Sequence, residues 1–258
     1  MRYLGLLIIL LLGFTSCDDA PKKIEPNNII ASITEGGYQN TDTTHHFEID
    51  LKYPVVDANI NPDLLIAINN TIPENFHHFV DREEFINAHL NLPENFNESN
   101  GEWKGLLQNT YTVRQLDSLL FINFSVYQYF VGAVHGNTYH HSIQLDLSTG
   151  KKLNYTDFIK TTPKSITQIK TIFNSNLPDS TCWGLKNDSA TLKNIENLAF
   201  YKDSVIFYID DYALCPFAFG LPDIRFSTDQ LQDVLTTPSF SYFSEIEPVV
   251  EEGEIATH

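Results

Sequence analysis

Two short stretches hold the side chains that could do chemistry. In YFVGAVHGNTYHH (Tyr129–His141) the imidazoles of His135, His140 and His141 fall within seven residues, and in YIDDY (Tyr208–Tyr212) Asp210 and Asp211 stand side by side. Imidazole and carboxylate are the donors of a zinc hydrolase, which needs three or four of them converging, held by a supporting hydrogen-bond shell. His140 and His141 are neighbours in a run that reads as a strand, so they point to opposite faces and at most one can join His135. Gly132, Gly136 and Asn137 beside them are turn formers. The better-supported expectation is a strand-to-strand turn presenting a polar side chain. A metal-assisted hydrolase acting on envelope polysaccharide, with His135 and Asp210 or Asp211, is the alternative. The H-E-x-x-H, G-x-S-x-G, G-x-G-x-x-G and P-loop patterns do not occur.

The elements that must position these groups can be read from periodicity. Phe47, Ile49 and Leu51 alternate with Glu48, Asp50 and Lys52, the pattern of a half-buried strand, and Pro54 marks its end or a sheet edge. Asn61 and Pro62 form a helix start, followed by Leu64, Leu65, Ile68 and Ile72 at helical spacing. Pro73 is expected to break or kink that pattern, which then resumes with Phe76, Phe79, Val80 and Phe85 as its buried face. From Trp103 the texture is that of an antiparallel meander, with turns at Asp117-Ser118 and at Leu147–Lys151. A second helix follows at Pro163–Leu177, then a hairpin around Asp203-Ser204 and a short helix capped by Ser227 or Thr228. The fold class is α+β: antiparallel sheets with a few packed helices, in two sequential subdomains, 43–150 and 151–236.

The N-terminus reads as an export signal. Arg2, the apolar run Leu4–Leu12 and the small residues before Cys17 have the layout of a signal peptide over 1–16, with a run too short to span a bilayer. Phe14-Thr15-Ser16-Cys17 resembles a lipobox, so Cys17 is the expected lipidation site and 17–42 a flexible tether. The localisation expected is that of an outer membrane lipoprotein, with periplasmic and cell-surface orientations both open. Cutting after residue 16 leaves 15 basic and 33 acidic residues, a charge of −18 against −17 for the whole chain. That charge excludes nucleic acid as a partner and suits solubility or a basic protein. Residues 237–258 form an acidic tail with a disordered composition. Cys182 and Cys215 remain as an even pair in an exported chain, and a disulfide between them is expected.

The opening stretch also carries a family resemblance. Gly132-Ala133-Val134-His135-Gly136-Asn137 resembles a G-G-A-H-[GP]-N signature, with Ala133 in place of the usual glycine. Asp146–Lys151 matches a following D-x-x-T-G-K element, Leu153–Phe158 an L-x-D-[LI]-F element with one extra residue, and Tyr212–Gly220 a Y-x-x-x-P-[YF]-A-x-G element. The set resembles the paired domain-of-unknown-function family found in the extracellular part of RsiV-like anti-sigma factors and beside the catalytic domain of some peptidoglycan deacetylases, over residues 43–236. The resemblance implies a compact α+β fold in two halves and a non-catalytic binding role; together with the lipobox it leads to the expectation of a lipid-anchored envelope module, with no cofactor, that recognises a protein or a cell-wall glycan, and because RsiV binds lysozyme through this region, lysozyme is the named candidate. A structural envelope lipoprotein is a further alternative. The candidate binding residues are the signature turn Gly132, His135 and Asn137 with the nearby aromatics Tyr129, Phe130 and Tyr139. Asp42-Thr43, Asp117-Ser118, Asp179-Ser180, Asp188-Ser189 and Asp203-Ser204 resemble the acceptor of Bacteroidetes O-glycosylation, although such pairs are also favoured in turns.

The lipobox reading has a direct check. Fatty-acid labelling and membrane association should both be lost in Cys17→Ala; a variant that stays labelled and membrane-bound overturns it.

Overall fold

The computed structural model describes residues 29, 31–92, 104–177, 182–201, 203–216 and 224–236. The expected lipidation site Cys17 and the acidic tail lie outside the described residues. Strands β1 (Ala31–Asp42) and β2 (Phe47–Ala58) lead to helices α1 (Pro62–Phe79) and α2 (Arg82–Leu90), then to β3 (Gly105–Leu116), β4 (Leu119–Tyr129), β5 (Asn137–Asp146) and β6 (Lys151–Leu153). The remainder comprises α3 (Tyr155–Phe158), α4 (Pro163–Asn176), α5 (Asp188–Asn194), β7 (Leu198–Phe200), β8 (Ser204–Phe207), β9 (Ile224–Ser227) and α6 (Thr228–Leu231). β1 to β6 form one sheet in sequence order, and β7 to β9 a second. The class is α+β. Among the described residues no helix is long and apolar enough to cross a membrane.

Three expectations change. First, Ala31–Asp42, read as tether, is a twelve-residue strand paired along its whole length with β2. Its alternation is blurred by Gly36-Gly37 and by one largely exposed face, so periodicity did not reveal it. Second, β2 and β3 are parallel at Phe47–Asp50 and Gly105–Gln108, with α1 and α2 as the crossover that parallel pairing requires. Third, Pro73 lies inside α1 without ending it; the break comes at Val80, ahead of a new N-cap at Asp81.

The two halves do not form separate bodies, because β4 serves both cores. Leu120, Ile122, Phe124 and Val126 join β2, α1 and α2 in one buried cluster, with Phe76 stacked on Phe124 at 4.2 Å. Leu119 and Phe121, on the opposite face of the same strand, join Phe158, Phe173, Phe200, Phe207 and Phe226 in the other. The two cores therefore lie on opposite faces of β4, and the first sheet runs past residue 150 to include β6. Of the Asp-Ser and Asp-Thr pairs, Ser118 and Ser204 are buried while Thr43 and Ser189 are exposed, so only the latter two are accessible in the folded chain; the pair at 179–180 lies outside the described residues.

Imidazoles line the helix-to-sheet contact. Phe79 stacks on His141 at 4.5 Å, His77 meets Tyr53 edge-on, and His89 lies flat against Phe130 at 5.7 Å. Each of these histidines keeps one buried ring nitrogen without a hydrogen-bond partner among the described residues. Burial holds all three below the usual histidine range, reinforced at His141 by Lys152 and His78, which push it down to about 4, and at His77 by Arg82. Between pH 6.5 and 4 the unfolded chain therefore takes up a proton at position 141 that the folded chain refuses. Stability should fall as the pH drops through that window and level off below it, by roughly 3 kcal/mol for this residue. Urea midpoints measured from pH 7 to pH 4 should decline less steeply in His141→Phe; equal slopes would refute the assignment.

Candidate functional site

β4 and β5 are joined by a loop that Gly132 turns with φ +89°, closed by the Ala133 amide donating to the Phe130 carbonyl at 3.0 Å. Ala133 is exposed at ordinary negative φ, so an alanine fits where the signature has glycine. Gly136 has a steric reason to be glycine: a Cβ there would lie 2.4 Å from the Tyr127 ring. The loop pushes Val134 into solvent at 96 % exposure. His135 then folds back, its Nδ1 donating to the Gly136 carbonyl at 2.8 Å. A carbonyl only accepts, so the proton sits on Nδ1 and Nε2 accepts from the Tyr212 hydroxyl at 2.7 Å. The two rings also stack, 5.8 Å apart and 28° from parallel.

Tyr212 reaches His135 because of the carboxylates before it. β6 covers β5 only at Gln144–Asp146, which leaves the rest of that edge without a strand. Asp211 accepts from the Thr138 amide at 2.6 Å, Asp210 from the His140 amide at 2.7 Å and Asn197 from the Ser142 amide at 2.9 Å. Asn197 also donates to the His140 carbonyl at 2.8 Å, and the Asp211 amide to the Thr138 carbonyl at 3.1 Å. The chain then turns at Tyr212, whose φ of +62° is one that non-glycine residues seldom adopt. Burial raises Asp210 above the usual carboxylate range, against the lowering effect of the His140 amide and Lys193.

The expected disulfide between Cys182 and Cys215 is present and fixes the next layer, with the two Cα atoms 4.3 Å apart. Closing that loop constrains the unfolded chain by roughly 3–4 kcal/mol. Beside it, Trp183 donates through Nε1 to the Ala213 carbonyl at 3.0 Å and through its amide to the Leu214 carbonyl at 2.9 Å. Trp183 and Tyr212 remain 40 % and 45 % exposed. Val134, Tyr212 and Trp183 thus stand around His135 and Ala213 as exposed apolar side chains on a hydrogen-bonded frame.

Several sequence expectations are relocated. Tyr129 is buried at the end of β4, and Phe130 packs inward against Phe85 and His89, so neither is a surface anchor. Tyr139 is half-buried in β5, with the parity of His141 and the helix-side core. Asn137 opens β5 opposite Gln128. His140 is buried, with its Nδ1 3.5 Å from the Asn123 amide nitrogen, and does not join His135. Tyr212 and Trp183 were not singled out as surface residues; the signal for Trp183 was its place beside Cys182. Asp146 organises the β5–β6 turn by accepting from Ser148 and Thr149, and Asp157 caps α3 by accepting from the Asn154 amide. Among the described residues no three His, Cys, Asp or Glu side chains gather as a metal cluster.

No family model matches the chain, and none of the curated proteins does. Solved structures do. A DUF3298 family protein from Pseudomonas aeruginosa PAO1 superposes with a TM-score of 0.52 at 14% identity, over 83% of this chain and 97% of that one. A DUF3298 member from Bacteroides fragilis gives a TM-score of 0.56 at 15% identity, over 85% and 98%. The chain shares the fold of these proteins of unknown function.

The edge-capping role of Asp210 separates two substitutions. In Asp210→Asn the side-chain oxygen still accepts from the His140 amide and the buried charge is gone, so the melting temperature at pH 7 should hold or rise. Asp210→Ala leaves that amide unpaired and should cost about 1–3 kcal/mol in urea unfolding. Equal losses in both variants would show that the charge, and not the hydrogen bond, matters.

Proposed function

We propose that this protein is a lipid-anchored, non-catalytic binding module of the bacterial envelope, which engages its ligand through Val134, His135, Tyr212 and Trp183. The observation that carries the reading is the exposure of Val134, Tyr212 and Trp183 on a frame fixed by a disulfide, a stacked His–Tyr pair and backbone hydrogen bonds. Exposed aromatics clustered on a rigid base are the usual anchors of recognition, because little side-chain entropy remains to be lost on binding. The hydrolase alternative is weakened by where the carboxylates are spent: Asp210 and Asp211 each give an oxygen to an amide of β5.

The charge of −17 directs the choice of partner toward a basic protein, with lysozyme the named candidate and a cell-wall glycan the alternative. The long-range attraction falls off over about 8 Å at physiological salt, so specificity must come from the apolar anchors. Calorimetric titration of the chain carrying Cys17→Ala with lysozyme should give heat at low and at physiological salt, and Tyr212→Ala and Trp183→Ala should each weaken binding about tenfold or more. Heat at low salt only would mean non-specific attraction, and no heat at either salt removes this partner. Soluble glycan fragments titrated in parallel test the alternative.

A further inference from the structure

The outer edge of β1 is built differently from the other long open edges of the sheet. In an antiparallel pair, opposed residues either bond each other or both point away. Val56 gives its amide and carbonyl to Asn69, and Lys52 gives both to Asn109, so neither bonds β1. Their opposite numbers, Ile33 and Gly37, therefore point outward, and with them the alternate residues Glu35, Gln39 and Thr41. The residue opposite Glu35 is Pro54, which has no amide to offer, in agreement with this phase. The edge of β2 beyond β3 is thus filled by Asn109 and Asn69, and the edge of β5 by Asp210, Asp211 and Asn197. On the outer side of β1, among the described residues, only the Ala31 amide is taken, by Gln115. Ile33, Glu35, Gly37, Gln39 and Thr41 have no backbone partner on that side among the described residues. Natural edges are commonly guarded by lysine, proline or a bulge; ASITEGGYQNTD has neither lysine nor proline, and its pairing with β2 runs unbroken through twelve residues.

We infer that β1 is a self-association edge: two copies of this chain pair antiparallel through β1, joining their sheets across a two-fold axis at Gly37. This register is selected by the sequence. It sets Gly37 against Gly37, Glu35 against Gln39 and Ile33 against Thr41, so every outward residue is paired and no carboxylate faces another. An axis at Glu35 would oppose two glutamates, and an axis at Gln39 would leave Ile33 unpaired. The contact is isologous and closes at two copies. Each copy carries −17, so repulsion between them is screened by salt and the dimer strengthens as salt rises, opposite to the response of a basic partner.

The full chain carrying Cys17→Ala, which removes the one cysteine outside the disulfide, tests this. Sedimentation should show a dimer that grows with concentration and with salt. Thr34 and Asn40 face each other across the axis as a non-bonded pair, Cα atoms about 4.5 Å apart, within disulfide range. Within one strand the same residues are about 20 Å apart, so the double variant Thr34→Cys/Asn40→Cys should yield only interchain bonds linking 34 to 40. Gln39→Pro removes an outward amide that β2 does not use and should abolish the dimer with the circular dichroism spectrum unchanged. A monomer at every concentration without 34–40 cross-links overturns the inference. So does a dimer that survives Gln39→Pro, or concentration-independent hydrogen-exchange protection of the outward amides, which would place another segment of the same chain on this edge. A failure of lysozyme binding would leave all three readouts intact.

Discussion

An extended strand that loses its neighbour must still satisfy its amides and carbonyls, and this constraint governs the molecule. A buried backbone group left unpaired costs about 1–3 kcal/mol. Here β2 diverges from β3 after Asp50, and β5 outruns β6 before Gln144. Side-chain amides take the place of the missing strands. Asn109 clamps Lys52, Asn69 clamps Val56, Asn197 bridges Ser142 and His140, and Gln115 bridges Ala31 and Ile29, each using both its oxygen and its nitrogen. Asn174 does the same for Leu185 in the loop beyond α4. A primary amide suits this task because its donor and acceptor lie side by side, as they do along one edge of a strand.

The candidate site follows from the same constraint. Asp210 and Asp211 lie where they do because the β5 edge needs acceptors, and satisfying that edge delivers Tyr212 onto His135. Asn197 comes from the C-terminal half, so the capped edge also joins the two halves. The site is thus assembled from segments seventy-seven residues apart. The strain of Tyr212 at positive φ is held by the hydrogen bonds on either side of it.

Shared fold at 14% and 15% identity is intelligible in these terms. Several motif residues of this chain shape backbone: Gly136 admits the Tyr127 ring, Asp146 with Gly150 at φ +69° builds the β5–β6 turn, and Asp157 caps α3. Such roles tolerate wide variation elsewhere.

Local signals in the sequence determined the local structure. Alternation disclosed β2, apolar strand-like runs between turn signals disclosed β4 and β5, Asn61-Pro62 and Ser227 announced helix starts, and the even cysteine pair anticipated the disulfide, because each rests on residues within a few positions of one another or on parity alone. The α+β class followed from their sum. What required the tertiary structure was everything decided by a distant partner. β1 was hidden because an edge strand with one exposed face and two glycines has little period. The parallel pairing of β2 with β3 depends on a crossover that no local pattern specifies. The two expected subdomains share β4 between their cores, since Leu119 and Leu120 are adjacent in sequence yet belong to different clusters. Asp210 and Asp211 could be read as ligands until the open edge of β5 came into view, Phe130 as an anchor until Phe85 and His89 of α2 covered it, and Tyr129 until it proved buried at the end of β4. Burial and strand-edge pairing are relations between segments, and the sequence states them only once the chain has folded.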